Sequence, residues 1–331
     1  MLTRRHTFAA AALPLFAIKR AHAAEFNFRC GHLLPVAHPL HVRATEACAR
    51  IASATDGRVS ITMVPDSKLG PDTEALKLLR SGEIEMMAAF GLVLSTVVPM
   101  ASIHAAGFGF KTYGQVWSAM DGALGALVQQ DILQNGYVPV GPIWDNGFRQ
   151  ITTSSKPVRQ PADLKGLKIR VPVSPLSIGM FRALGAEPTG INFSGLYPAL
   201  QARTVDAQEN SLVLIESAKL FEVQSFCSLT NHMWDGYWFL INPERWRSLP
   251  PTFQDVLRVE FARAALLQRT DMARQSPALR SDLVDVGMTI NPVDATSFQA
   301  VLSKTGFYAE WRAKFGEKPW RTLEETVGEL A

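Results

Sequence analysis

Between residues 26 and 90 the apolar positions change period several times, and each change marks an element. "EFNFRCGHLL" reads as a strand. "HPLHVRATEACARIASATDG" puts Val42, Ala44, Cys48, Ile51 and Ala52 on one face of a helix that Gly57 ends. "RVSITMVP" alternates as a strand does, up to Pro65. "LGPDTEALKLLRSG" is a second helix, with Pro71 near its first turn and Gly82 past its end. "EIEMMAAF" is the next strand. A β-α-β-α-β opening predicts an α/β fold with parallel pairing.

Further along, "ADLKGLKIRVPVSP" (162–175) reads as a helix stop and a short strand. Leu167, Ile169, Val171 and Val173 alternate with Lys168 and Arg170, and Pro172 cuts the strand short. The strand therefore ends on an arginine that points either to water or into a cleft. Residues 78–85 ("LLRSGEIE") and 199–206 ("ALQARTVD") line up as helix end, tight turn and strand. This repetition predicts two domains of related build. From about Asn242 the pattern is mostly helical, with a long amphipathic stretch begun by Pro250 and Pro251. No low-complexity linker separates the domains, so the chain is expected to cross a hinge more than once. The expected division is 24–147 plus about 236–275 for one domain, and 148–235 plus about 276–331 for the other.

Composition supports this division. A chain of 331 residues, 47% of them hydrophobic, exceeds what one compact domain usually holds. The first 23 residues have Arg4 and Arg5, an apolar run from Phe8 to Ile18 and an Ala21-His22-Ala23 site. That layout predicts a secretory signal peptide, and the Arg4-Arg5 pair hints at twin-arginine export. Its removal takes away four basic residues and no acid, lowering the formal charge from +3 to −1. No basic patch then argues for a nucleic-acid partner. Cys30, Cys48 and Cys227 allow at most one internal disulfide, and buried thiols are the simpler reading.

Enzyme motifs are scarce. Neither a dinucleotide or P-loop glycine pattern nor a G-x-S-x-G or H-E-x-x-H motif occurs. His38 and His41, with His32 nearby, raise the question of a metal face. No acid or cysteine accompanies them, so hydrogen-bonding imidazoles at a helix start are expected, with no metal and no cofactor. Three polar side chains stand at strand-to-loop junctions: Arg149 in "WDNGFRQITT", Arg170, and Asn210 in "VDAQENSL". Ligands of open α/β sheets bind beyond the carboxyl ends of strands. An arginine fork matches a carboxylate, and an asparagine adds a neutral donor. Phe90, Trp144, Phe193, Trp234 and Tyr237 are the aromatic candidates for the wall of such a pocket. Asp145 and Asp235 are the acids that a secreted enzyme acting on a carboxylate would use.

The segment "FRQITTSSKPVRQPADLKGLKIRVPVSPLSIGMFRALGAEPTGINFSGLYPALQARTVDAQEN" resembles the solute-binding proteins of TRAP transporters, the DctP-type family, and the likeness runs over nearly the whole mature chain. The resemblance implies a periplasmic, two-domain α/β flytrap with hinge strands and a long domain-spanning helix. It implies capture of an organic acid and delivery to a sodium-driven membrane permease by a monomer. By the "R-V-P", "N-G-x-R" and "Q-E-N" motifs, it assigns substrate contacts to Arg170, Arg149 and Asn210. Here Ala207 and Ser211 replace the family's usual Gly and Pro. Sialic-acid-binding members carry Glu at the position of Phe90 and Asn at that of Leu33, so sialic acid is not expected, and Leu33 and its neighbour His32 join the expected ligand contacts. A monocarboxylate with an apolar or aromatic body, such as a 2-oxo or 2-hydroxy acid, is. A secreted enzyme or a ligand sensor for a membrane receptor remains the alternative.

Overall fold

One strand pattern is used twice. In the first half, β1 (Phe26–Gly31), α1 (Pro39–Ala54), β2 (Val59–Val64), α2 (Asp72–Ser81) and β3 (Met86–Phe90) follow one another. Strand β1 pairs in parallel with both β2 and β3, giving the order β2-β1-β3. The chain then passes through α3 (Gly91–Leu94), α4 (Tyr113–Met120), α5 (Ala123–Gln134) and β4 (Val138–Pro139) into the ten-residue strand β5 (Trp144–Thr153). The second half repeats the first with β6 (Lys168–Val171), α6 (Pro175–Ala183), β7 (Glu187–Gly190), α7 (Leu196–Gln201) and β8 (Ala207–Ser211). Its order, β7-β6-β8, is again parallel. The computed structural model describes residues 24–331, so the expected signal peptide lies outside the described residues.

The aligned stretches 78–85 and 199–206 occupy equivalent places. Gly82 ends α2 with φ +85°, and its counterpart Arg203 follows α7 with φ +55°. Both turns need the left-handed region, which glycine enters freely and arginine enters at a cost. Each half is then edged by an antiparallel strand from elsewhere in the chain. After α8 (Leu212–Ser217) and β9 (Phe226–Leu229), strand β10 (Trp234–Ile241) lies on β3, while β5 lies on β8. Strands β5 and β10 also pair with each other, so one sheet runs β2-β1-β3-β10-β5-β8-β6-β7 through both halves. Two strands thus carry the chain across the join, which explains the missing linker.

Following α9 (Pro243–Ser248), helix α10 (Pro251–Asp285) has 35 residues, a length of about 52 Å at the usual rise. It packs on α1 and β5, and also on α8 and β11 (Thr289–Pro292) in the second half. The last helices, α11 (Ala295–Lys304), α12 (Phe307–Phe315) and α13 (Glu317–Val327), cover α6 on one side and α4 and α5 on the other. One expectation for α1 is corrected. Leu40, Ala44, Ala47, Cys48 and Ile51 form its buried face, and Val42 is 42% exposed. The i, i+4, i+7 spacing from Leu40 describes the face better than a count begun at Val42. All three cysteines are buried and unpaired.

Candidate ligand-binding site

The site grows from strand ends. Leu33 follows β1, Phe90 ends β3, Pro172 follows β6, Phe193 lies in the loop after β7, and Leu214 is in α8. Together with Arg170, Asn210, Asn146, Arg149 and Tyr237 they line one narrow cavity. Both halves contribute walls, and most of the walls are apolar. No group of three or more His, Cys, Asp or Glu able to hold a metal occurs among the described residues.

Arg170 is buried to 1% exposure, which removes the reading that it points to water. Its Nε donates to the Ile191 carbonyl at 2.9 Å, and its Nη2 has no partner. Burial lowers its pKa to about 10, because no carboxylate touches the guanidinium and Glu209 and Asp72 act only at a distance. An unpaired buried cation is expensive unless an anion joins it.

Arg149 is equally buried but differently placed. Its Nε meets Glu209 Oε2 at 2.5 Å, and its Nη2 meets Glu209 Oε1 at 3.0 Å and the Glu209 carbonyl at 2.8 Å. His232 Nε2 lies 3.0 Å from the same Oε2, and Thr230 Oγ1 lies 2.7 Å from His232 Nδ1. Burial alone would raise the Glu209 pKa, but Arg149 and His232 pull it down to about 2. The Arg149 charge is therefore already compensated. The N-G-x-R motif points to Arg149 but gives no sign of the acid in Q-E-N, 60 positions away, that answers it.

Asn210 lines the cavity and donates from Nδ2 to Gln208 Oε1 at 3.0 Å. Asn146 is a site residue that sequence reasoning missed, although it stands inside the N-G-x-R motif. Opposite it the register shifts, because Asp235 pairs with Gly147 and Gly236 with Asp145. Asn146 is thus the extra residue of a β-bulge, a device that re-aims a side chain. Gly147, at φ +101°, supplies the backbone conformation this needs. Asn146 Oδ1 accepts from Ser211 Oγ and Tyr237 Oη, both at 3.2 Å, and its Nδ2 is unpartnered. Two residues of the cavity lining thus hold buried donors without acceptors, Arg170 Nη2 and Asn146 Nδ2.

Phe90, Phe193, Tyr237 and Leu33 line the cavity as expected residues, with the Phe90 and Tyr237 rings edge to face at 6.1 Å. Three other candidates lie outside it. Trp144 packs on Phe239 and Phe261, with centroids at 4.6 and 6.4 Å. Trp234 is three residues before Tyr237 on β10, so it faces the other side of the sheet. There it donates to Asp145 Oδ1 at 2.8 Å and packs against Trp117 and Phe110. His32 is bonded to His41 at 3.0 Å, and burial with its histidine neighbours holds its pKa at about 3. The two acids considered for an enzyme do not line the cavity either. Asp145 is buried with Trp234, and Asp235 accepts from His104 Nε2 at 2.8 Å.

Residues 30–310 match the DctP family, "Bacterial extracellular solute-binding protein, family 7". The chain is 30% identical over 303 residues to the 2,3-diketo-L-gulonate-binding periplasmic protein YiaO of Escherichia coli, covering 91% of this chain and 92% of that one. Among solved structures, a TRAP periplasmic solute-binding protein of Roseobacter denitrificans with bound L-galactonate superposes with a TM-score of 0.85 at 28% identity, covering 92% of this chain and 99% of that one. A TRAP periplasmic solute-binding protein of Bordetella bronchispeptica, with density assigned to pantoate, gives 0.86 at 25% identity, covering 91% and 99%. The fold, the extent of these matches and a cavity shared between two α/β halves give one conclusion: the chain belongs to the DctP family of solute-binding proteins of TRAP transporters.

Proposed function

We propose that this protein captures a small monocarboxylate with an apolar body, such as a branched 2-oxo or 2-hydroxy acid, and hands it to a membrane permease. The observation that carries the reading is the pairing of one uncompensated guanidinium, Arg170, with one already neutralised, Arg149. One free positive charge suits one carboxylate. A second carboxylate would face Phe90, Leu33, Leu214 and Pro172, which offer it nothing. Asn146 Nδ2 and the Asn210 amide suit an oxo or hydroxyl oxygen near that carboxylate.

Binding breaks no covalent bond. The carboxylate forms charge-assisted hydrogen bonds with Arg170, and closure of the halves removes water and strengthens them. The closed state is favoured because the acid touches both halves and so binds that state better. Export under the direction of residues 1–23 and action as a monomer in the periplasm belong to the same reading. The test is a thermal-shift screen of the mature chain with four- to six-carbon 2-oxo and 2-hydroxy acids, dicarboxylates and hexonates, followed by calorimetry. Stabilisation by 2-oxoisovalerate or its neighbours, but not by succinate or galactonate, is the expected outcome. Preference for a dicarboxylate would refute the one-charge argument.

A further inference from the structure

Helix α2 starts without a cap of its own. Its N-cap position is Pro71, which has no side-chain acceptor, so the N–H groups of the first turn need partners from elsewhere. Those partners come from the second half. Asn192, in the loop after β7, accepts the Thr73 N–H on Oδ1 at 3.3 Å and donates from Nδ2 to Thr73 Oγ1 at 3.0 Å. In return Asp72, the first residue of α2 and only 2% exposed, accepts the Phe193 N–H at 3.2 Å. The residue before Asn192 is Ile191, whose carbonyl holds Arg170 Nε at 2.9 Å, and the residue after it is Phe193, which lines the cavity. Three consecutive residues therefore touch the ligand-binding guanidinium, the start of a helix in the opposite half and the cavity wall.

We propose that Asn192 and Asp72 form a closing latch, in which the open end of α2 is capped across the gap and the 191–193 loop is thereby fixed in the position that orients Arg170. They are positioning residues, which do not touch the acid. The inference rests on the reading of Arg170 as the ligand's partner. Opening the halves uncaps α2 and frees the loop, so the latch acts chiefly on release. Loss of one such contact belongs mainly in the dissociation rate, as most affinity changes do.

The test compares wild type, Asn192→Ala, Asn192→Asp and Arg170→Ala in the mature chain, by stopped-flow fluorescence with 2-oxoisovalerate and by amide hydrogen exchange. Asn192→Ala should weaken binding about tenfold through faster dissociation, with the association rate and the ligand-free Tm nearly unchanged. Asn192→Asp keeps the acceptor for the Thr73 N–H and should recover most of the loss. The acid should slow exchange at the Thr73 and Phe193 amides of wild type. Unchanged dissociation in Asn192→Ala, or equal protection of both amides with and without acid, would overturn the latch. Loss of binding in Arg170→Ala alone supports the ligand site separately. If wild type binds no acid of the panel, the ligand reading fails. The latch rests on that reading and then falls with it, whereas acid binding with unchanged dissociation in Asn192→Ala refutes the latch alone.

Discussion

Two arginines, one on β5 and one on β6, are each 1% exposed and line the same cavity, yet they stand in opposite electrical states. Arg149 is gripped by Glu209, which His232 braces in turn. Arg170 has a carbonyl on one side and an unpartnered Nη2 on the other. The contrast separates scaffold from site. A buried cation with its acid is part of the framework, and a buried cation without one attracts an anion from outside the chain. It also shows why burial and residue type alone do not identify a binding group.

The comparison breaks most severely if the Arg149 acid is removed. Glu209→Ala leaves a buried charge without its partner, which costs about 3–5 kcal/mol. For a chain of this size that corresponds to a fall in Tm of roughly 10 °C, readable by calorimetry. Arg170→Ala should do the reverse. Ligand affinity should fall more than about 100-fold by titration calorimetry, because charge-assisted bonds contribute about 1.5–3 kcal/mol each, while the Tm holds or rises. If both substitutions affected only stability, the distinction between the two arginines would be wrong.

Acid should act on the framework too. Glu209 is held at about 2, below its ordinary value, so the unfolded chain binds the proton more readily. Its stabilising contribution is fully present above about pH 5 and is lost as pH falls towards 2. His232 is shifted downward by burial, which likewise favours the folded state above the ordinary histidine range and weakens it below. Urea unfolding across pH 7 to 3 should therefore show falling stability, and Glu209→Gln should flatten the lower part of that curve. Asn146→Ala removes one free donor from the cavity, and about a tenfold rise in Kd is expected. The smallest effect belongs to Trp144→Phe. Its Nε1 has no partner and its ring lies among Phe239 and Phe261, so affinity should stay within about twofold.

Much of this molecule was legible in its sequence, for local reasons. The periods of α1, β2, α2 and β3 follow from which side of each element meets the core. The repeated helix end at Gly82 and Arg203 reflects one turn geometry used twice. The motifs around Arg170 and Asn210 mark strand ends, which is where an open α/β sheet places its ligand, but Arg149, expected at a strand-to-loop junction, lies in the middle of β5 (Trp144–Thr153) and reaches the cavity beside the bulge. The long helix was readable from its amphipathic pattern. Errors arose where a local pattern had two outcomes. Trp144, Trp234 and Tyr237 are all buried aromatics on β5 or β10, but only Tyr237 lines the cavity. Alternation across the sheet turns Trp234 away, whereas Trp144, opposite Tyr237 in register, shares its face and is taken up by Phe239 and Phe261.

Local periodicity and turn chemistry thus determined the elements, their parallel arrangement in two similar halves and the strand ends that carry polar groups. Contacts distant in sequence decided the rest. Glu209 meets Arg149 across 60 positions, Asn192 meets Thr73 across 119, and a bulge between β5 and β10 turns Asn146 into the cavity. Charge compensation and side-chain direction depend on which strands lie side by side. That is set by the packing of the whole chain, and no short window of residues contains it.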